Sequence, residues 1–281
     1  MRVKQVMTVP VICAEVPGNR TDVLKLMIEH HISGVPVVRA GTMELAGIVS
    51  RNDIFNNTRE EQIVMVMTTD VVTVTPGTTV ESSARKFLEH GFNHLPVVAD
   101  GKLVGIITPT NLLPVIAERG GDWAVRDCLD RGCVPLHVPT PLGAALRIMR
   151  LSGARAMPVL GKRGVLCGII TDRDLFDITD VQEGVTVSEM GAGEDEDPWS
   201  WEGLRDIMRV YHSEKKLHLP DVPLEEVMVR DVTTAFYKNP VPDVAMVMLD
   251  NDYGQIPLVD AGGKLTGMVY CHDLLKVLLP E

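Results

Sequence analysis

Two segments of the sequence place a hydroxyl group and a carboxylate at the same spacing. Ser50 precedes Asp53 by three residues, and Thr171 precedes Asp174 by three. A carboxylate accepts two hydrogen bonds from a vicinal diol, so it suits the O2′ and O3′ hydroxyls of a ribose and disfavours 2′-deoxy compounds. One interpretation of the pattern is therefore a site that binds the diol of a ligand.

The same spacing also has an interpretation that involves no ligand. A serine or threonine followed three residues later by an acidic residue predicts a helix N-terminus with a capping box. The two interpretations are compatible, because the hydroxyl can cap the helix while the carboxylate faces a ligand.

Both segments belong to a pattern that occurs four times. Each copy has an apolar strand with a central proline, then a glycine nine to eleven residues later, and then a polar residue six positions beyond the glycine. The prolines are Pro36, Pro96, Pro158 and Pro257, the glycines are Gly47, Gly105, Gly168 and Gly267, and the polar residues are Asp53, Asn111, Asp174 and Asp273. Four copies in register predict a chain of internal repeats.

The elements around these residues follow one order. Each copy begins with a short extended segment, such as Val6-Met7-Thr8 or Val66-Met67-Thr68, echoed by Val227-Met228 in the last copy. In the second copy Val80, Ala84, Phe87 and Leu88 recur at the spacing of one helix face. One unit is therefore predicted to be an extended segment, helix, strand, turn, strand and helix.

The repeat resembles the CBS (cystathionine-β-synthase) domain family. The marks are the proline-centred strand and the heptapeptides Gly47-Ile48-Val49-Ser50-Arg51-Asn52-Asp53 and Gly168-Ile169-Ile170-Thr171-Asp172-Arg173-Asp174. The resemblance implies an α/β (α+β) fold of four CBS repeats, each a small sheet with two helices, paired into two Bateman modules. Module 1 is residues 1–120, with repeats at about 1–60 and 61–120, and module 2 is residues 121–281, with repeats at about 121–180 and 222–281.

The extra length before the fourth repeat is an insertion at about residues 179–222. Its first half, 183–198, is rich in acidic residues and glycine and is predicted to be mobile. In its second half, 199–212, an apolar stripe at Leu204, Met208 and Tyr211 predicts a helix.

The resemblance also implies clefts for AMP, ADP, ATP or S-adenosylmethionine between paired repeats, with the aspartate on the ribose and the hydroxyl residue near the phosphate. Arg51 and Arg173 are candidates for the phosphate. The remaining walls come from the paired repeat: Val72, Asn93 and His94 for the Asp53 cleft, Thr233, Gly254 and Gln255 for the Asp174 cleft, and Arg155 for the Asp273 cleft.

The four clefts differ in their polar groups. Asn111 replaces the carboxylate in the second repeat, and Tyr270 replaces the hydroxyl residue in the fourth. We therefore expect the Asp53 and Asp174 clefts to bind most readily, the Asp273 cleft next and the Asn111 cleft last.

Composition excludes several classes of protein. The 281 residues carry a formal net charge of −11, which argues against nucleic acid as a partner. The sequence has no apolar run long enough to cross a membrane, and its first residues lack the regions of a signal peptide, so we expect a cytoplasmic protein. The five cysteines are scattered without metal-binding spacing and are expected to be reduced thiols, with no metal.

The sequence favours a regulatory sensor over an enzyme. The repeats occupy nearly the whole chain, and the sequence has no Gly-x-Ser-x-Gly, His-Glu-x-x-His or P-loop motif. We therefore expect no catalysis and no required cofactor, an adenosyl ligand as regulator, and a regulated partner protein that the sequence does not identify. The alternative is an interaction scaffold with vestigial clefts. Closure of the two modules in one chain and pairing in a homodimer both remain open.

Overall fold

The computed structural model describes residues 1–57, 60–130, 132–178, 180–190, 208–218 and 222–279. In the first half of the chain the elements are β1 (Ala14–Val16), α1 (Arg20–Glu29), β2 (Gly34–Arg39), β3 (Leu45–Ser50), α2 (Arg51–Asn56), α3 (Ile63–Val66), α4 (Val80–His90), β4 (Leu95–Ala99), β5 (Lys102–Ile107) and α5 (Leu113–Arg119). In the second half they are α6 (Val125–Cys128), β6 (Leu136–His137), α7 (Leu142–Ser152), β7 (Ala156–Leu160), β8 (Leu166–Thr171), α8 (Asp172–Asp177), β9 (Asp180–Met190), β10 (Met208–His218), α9 (Val241–Asp250), β11 (Gln255–Val259), β12 (Leu265–Tyr270) and α10 (Cys271–Leu274). The predicted α+β fold of four repeats is confirmed.

Each repeat contains an antiparallel hairpin joined on one side by a parallel segment. In repeat 1, β2 pairs antiparallel with β3 and parallel with β1. The central proline fits this sheet because its carbonyl serves as an acceptor and no N–H is needed: the Pro96 oxygen accepts from the Val74 N–H at 3.1 Å, and the Pro257 oxygen accepts from the Ala235 N–H at 3.0 Å. The proline at the strand centre therefore marks where the parallel segment joins.

The extended segment at the start of a repeat crosses to the sheet of its partner. Thr68 bridges to Ile48 in β3, Thr8 bridges to Ile106 in β5, and Val229 bridges to Ile169 in β8. The two repeats of a module are therefore interleaved rather than merely adjacent.

This crossing of the extended segment explains why the repeat has a glycine in its hairpin and a methionine in its extended segment. The Met67 sulfur lies 2.8 Å from the place that a Cβ on Gly47 would take, Met7 lies equally close at Gly105, and Met228 lies at 2.7 Å at Gly168. The glycine of one hairpin and the methionine of the other repeat thus form a single contact. In the fourth hairpin the Tyr237 hydroxyl takes this place, 2.8 Å from the same point on Gly267.

The two main cores join repeats of different modules. One combines side chains of repeats 1 and 3, such as Met27, Ile54 and Met157, and the other combines repeats 2 and 4, such as Phe87 and Met248. Sheets therefore pair within a module, whereas helices pack between modules of the same chain. The described helices include none long and apolar enough to cross a membrane.

The predicted helix in the insertion is wrong where it can be compared. Residues 208–212 belong to β10, which pairs antiparallel with β9 from Asp180 opposite His218 to Met190 opposite Met208. Residues 183–190, predicted to be mobile, lie in β9, while 191–207 lie outside the described residues. Val185 and Val187 alternate with the polar residues Thr186 and Ser188, which is typical of a strand, and this local pattern outweighs the acidic content around it.

Arg20 is an exception in the core. It begins α1 and is only 4% exposed, and in the described part of the chain its Nε and Nη1 atoms have no hydrogen-bond partner. Burial lowers the pKa of its guanidinium. The corresponding helix starts in the other repeats are Val80, Leu142 and Val241, which are fully buried.

We expect Arg20→Val to stabilise the protein by about 1 to 3 kcal/mol, because it removes buried donors that lack partners. The midpoint of urea unfolding, at unchanged slope, measures this gain. Lys25→Val, on the exposed side of the same helix, is the control and should change stability little. A lower midpoint for Arg20→Val would mean that the guanidinium stabilises this position.

Candidate functional site

The Asp53 carboxylate caps the helix that carries it. The Ser50 N–H and the Ser50 hydroxyl both donate to Asp53 Oδ2 at 2.7 Å, and the Asp53 N–H donates to Ser50 Oγ at 3.3 Å. The capping-box interpretation is therefore confirmed for α2. Within the described part of the chain these carboxylate bonds involve Oδ2 alone, so Oδ1 can accept from a ligand.

The third repeat has the same arrangement. The Thr171 N–H and hydroxyl both donate to Asp174 Oδ2 at 2.7 Å, and the Asp174 N–H donates to Thr171 Oγ1 at 3.3 Å. Repeats 1 and 3 thus share one hydrogen-bond pattern at the start of α2 and α8.

The other two repeats differ in ways that weaken a ligand site. Asn111 Oδ1 accepts from the N–H and hydroxyl of Thr108, as an aspartate would, but its Nδ2 donates to Thr8 Oγ1 of repeat 1 at 3.1 Å. Asp273 accepts from the Tyr270 N–H at 2.9 Å and is only 2% exposed. One amide is therefore tied to a neighbouring repeat, and one carboxylate is buried.

A cavity of about 380 Å³, here called the Asp53 cavity, opens beside α2. It gathers residues from three repeats. Its polar and apolar lining includes Ile48, Ser50, Arg51 and Asp53 from repeat 1, Asp70, Val72, Asn93 and His94 from repeat 2, and Arg150, Arg155 and Asp172 from repeat 3. The structure therefore brings together all the residues assigned to the Asp53 cleft by sequence.

Arginines from repeat 3 reach this cavity across the boundary between the modules. Arg155, assigned by the family resemblance to the Asp273 cleft, lines the Asp53 cavity. Arg150, which the sequence did not single out, lines it too, and its Nε donates to Asn56 Oδ1 at the end of α2 at 3.2 Å. Sequence spacing offers no signal for this, because it does not reveal that repeat 1 packs against repeat 3.

Asp172 joins two of the arginines. Arg51 Nη1 lies 3.3 Å from Asp172 Oδ1, and Arg155 Nε lies 3.3 Å from Asp172 Oδ2. Arg51 is buried, and it belongs to repeat 1, whereas the other two residues belong to repeat 3. Arg51, the predicted phosphate residue, is therefore already paired with an acidic side chain of the other module.

His94 is neutral at physiological pH. Burial, followed by the positive charges of Arg155 and Arg51, lowers its pKa to about 3. Its Nε2 shares a hydrogen bond of 3.0 Å with Ser33 Oγ, and its ring packs so closely on Gly34 that an added Cβ would lie 2.6 Å from Nδ1. His94 can thus give up its hydrogen bond with Ser33 for one with a ligand, but it does not supply a positive charge.

A second space of about 830 Å³, here called the central cavity, is lined by all four repeats. Its lining includes four residues that the sequence analysis assigned to the Asp174 cleft: Thr171, Arg173, Gly254 and Gln255. Asp174 and Thr233 are not among its lining residues. The wall formed by Arg51, Arg155 and Asp172 borders both cavities.

The family model for the CBS domain matches residues 3–60, 61–118, 125–179 and 224–280. The chain belongs to the CBS domain family. The matched ranges contain the hairpins and both capping boxes of the candidate site, and they leave out β9 and β10.

Two proteins of known structure resemble this chain over nearly its full length. Protein MJ1225 of Methanocaldococcus jannaschii is 24% identical over 275 residues, covering 90% of both chains. Its crystal structure, described as that of a proposed archaeal homologue of γ-AMPK, covers 98% of this chain and 99% of its own with a TM-score of 0.77 at 22% identity. An uncharacterised conserved protein from Pyrococcus horikoshii covers 99% of this chain and 100% of its own, with 26% identity and a TM-score of 0.66.

The described residues of this CBS protein hold no cluster of three or more histidine, cysteine or acidic side chains that could bind a metal ion. Its five cysteines are free thiols. Burial raises the pKa of Cys128 and of Cys271 to about 11, so these two thiols are protonated at neutral pH.

Proposed function

We propose that this CBS protein is a regulatory sensor that binds an adenosine-containing ligand, such as AMP, ADP, ATP or S-adenosylmethionine, in the Asp53 cavity. The observation that carries the proposal is the convergence of the Asp53 carboxylate, apolar walls and arginines around one space of about 380 Å³. This volume lies within the range of small-molecule sites.

The lining divides the cavity into parts that match an adenosine ligand. Asp53 Oδ1 accepts from the ribose hydroxyls while Oδ2 remains in the capping box. Ile48 and Val72 supply apolar contact for the purine. Arg150 and Arg155 provide positive charge for the group attached at the 5′ position of the ribose.

The same geometry supports sensing rather than turnover. A ligand in this cavity contacts repeats 1 and 2 of one module and repeat 3 of the other. A ligand that binds one arrangement of the modules more tightly shifts the population towards it, and a partner protein can bind that arrangement. We propose that the ligand is released unchanged.

A non-catalytic scaffold is the second candidate. It is favoured by the Asn111–Thr8 hydrogen bond and the burial of Asp273, which leave two of the four clefts poorly suited to a ligand. In this case the clefts are remnants, and the protein works through contacts with other macromolecules.

Thermal unfolding of the full chain with AMP, ADP, ATP, S-adenosylmethionine, methylthioadenosine and GMP tests the choice. A ligand at a hundred times its Kd adds about 2.7 kcal/mol of stability, and each kcal/mol raises the melting temperature by roughly 2 to 4 °C. A rise with an adenosine compound but not with GMP supports the sensor. An unchanged melting temperature across the panel supports the scaffold, and conversion of a bound nucleotide to product would contradict both.

A further inference from the structure

Asp172 lies in the wall of the Asp53 cavity, beside two arginines that are candidates for a ligand's anionic group. Its two carboxylate oxygens each face one arginine, Arg51 of repeat 1 and Arg155 of repeat 3. The side chain is held further by its position, because the Asp172 N–H donates to the Arg155 carbonyl at 2.9 Å. The carboxylate is 19% exposed, so it borders the cavity rather than lying in the core.

The positive and negative side chains that line the Asp53 cavity are equal in number. The described lining carries three arginines, Arg51, Arg150 and Arg155, and three acidic residues, Asp53, Asp70 and Asp172. His94 is neutral, so the formal charges of this lining cancel. Asp172 is the acidic residue that neutralises two of the arginines directly.

We propose that Asp172 is an internal competitor that determines how strongly the cavity responds to the negative charge of its ligand. An anionic group binds by replacing the Asp172 carboxylate at Arg51 and Arg155, so part of its interaction energy is spent on breaking the existing ion pairs. A neutral adenosine compound leaves these pairs intact. This inference rests on the proposed function, and it names Asp172 as a specificity-determining residue.

The replacement also links the two modules. Asp172 directly follows Thr171, the cap of α8, and lies two residues before Asp174. When a ligand takes over Arg51, the ion pair between repeat 1 and repeat 3 is exchanged for contacts through the ligand. The charge of the ligand thus acts on the interface between modules as well as on its own cleft.

The test compares AMP with adenosine, which differ only in the phosphate, by isothermal titration of the full chain at low salt. Asp172→Asn should tighten AMP binding by about tenfold or more, equivalent to about 1.4 kcal/mol, and should leave adenosine affinity nearly unchanged. Without ligand, the variant should melt at a lower temperature because buried Arg51 loses a counter-charge, and AMP should raise that temperature by more than in the wild type.

Asp70→Asn is the matched control, since it removes one negative charge from the same lining without removing an arginine pair, and its effect on AMP affinity should be within about fivefold. Asp172→Ser, which keeps a capping-type side chain at the start of α8, provides a second variant in case the amide disturbs folding.

Equal tightening for AMP and adenosine, or weaker AMP binding by both Asp172 variants, would overturn the competitor role while leaving the proposed function standing. Failure of the wild type and variants to bind either compound would remove the proposed function and this inference together.

Discussion

Asp53→Asn is expected to weaken AMP binding by about tenfold to a hundredfold while the protein stays folded. Hydrogen bonds to a charged group contribute about 1.5 to 3 kcal/mol, and the amide loses that charge. The capping bonds survive the change, because Asn111 accepts the equivalent bonds from Thr108 at 2.8 and 2.9 Å in repeat 2. The substitution therefore separates the ligand role of the carboxylate from its structural role.

Titration of both proteins with AMP and 2′-deoxy-AMP makes this separation quantitative. The wild type should bind AMP more tightly than 2′-deoxy-AMP, and this difference should shrink in Asp53→Asn. The 2′-hydroxyl missing from the ligand and the charge missing from the variant are the two partners of one hydrogen bond. Asp174→Asn, in the matching box of repeat 3, shows whether the effect belongs to the Asp53 cavity. An unchanged AMP affinity in Asp53→Asn, with unchanged thermal stability, would limit Asp53 to its capping role.

Gly47→Ala is expected to lower the stability of the protein by about 2 to 3 kcal/mol, a large effect for a single methyl group. The new Cβ would lie 2.8 Å from the Thr68 carbonyl oxygen and 2.8 Å from the Met67 sulfur. The methionine can move, but the Thr68 oxygen is fixed by the hydrogen bond that it accepts from the Ile48 N–H at 3.0 Å. The strain therefore falls on the pairing of repeat 2 with the sheet of repeat 1.

Gly143→Ala is the matched control. Gly143 lies in the first turn of α7, and a Cβ there meets no atom within 4 Å. The same substitution should stabilise the protein by about 0.5 to 1 kcal/mol, because alanine favours a helix. Urea unfolding of the two variants gives the comparison, and equal stabilities would mean that the Gly47 contact relaxes without cost.

The sequence was sufficient to predict the repeat and the local chemistry of each copy. Hairpins, helix faces and capping boxes depend on residues close together in the chain, and the box of Ser50 and Asp53 was predicted with its geometry. The walls contributed by Val72, Asn93 and His94 were predicted from the resemblance to the CBS family, and the structure places them around one cavity.

The contributions of repeat 3 to this cavity could not be predicted in the same way. Arg150 and Asp172 reach it because helices of repeats 1 and 3 share a core, and this packing depends on the surfaces of whole modules. The insertion illustrates a different difficulty. Met208 and Tyr211 have helical spacing, but Met208 and Val210 have the spacing of one strand face, and pairing with β9 decides the outcome.

The exchange of extended segments has a consequence for the order in which the chain folds during synthesis. The Gly47 hairpin is completed by Met67, twenty residues later, and the Gly105 hairpin by Met7, which has already been made. The Gly168 hairpin must wait for Met228, sixty residues further on and beyond the insertion. We therefore expect repeat 3 to leave the ribosome with one sheet face uncovered, so the second module is the slower to form and the more exposed to aggregation.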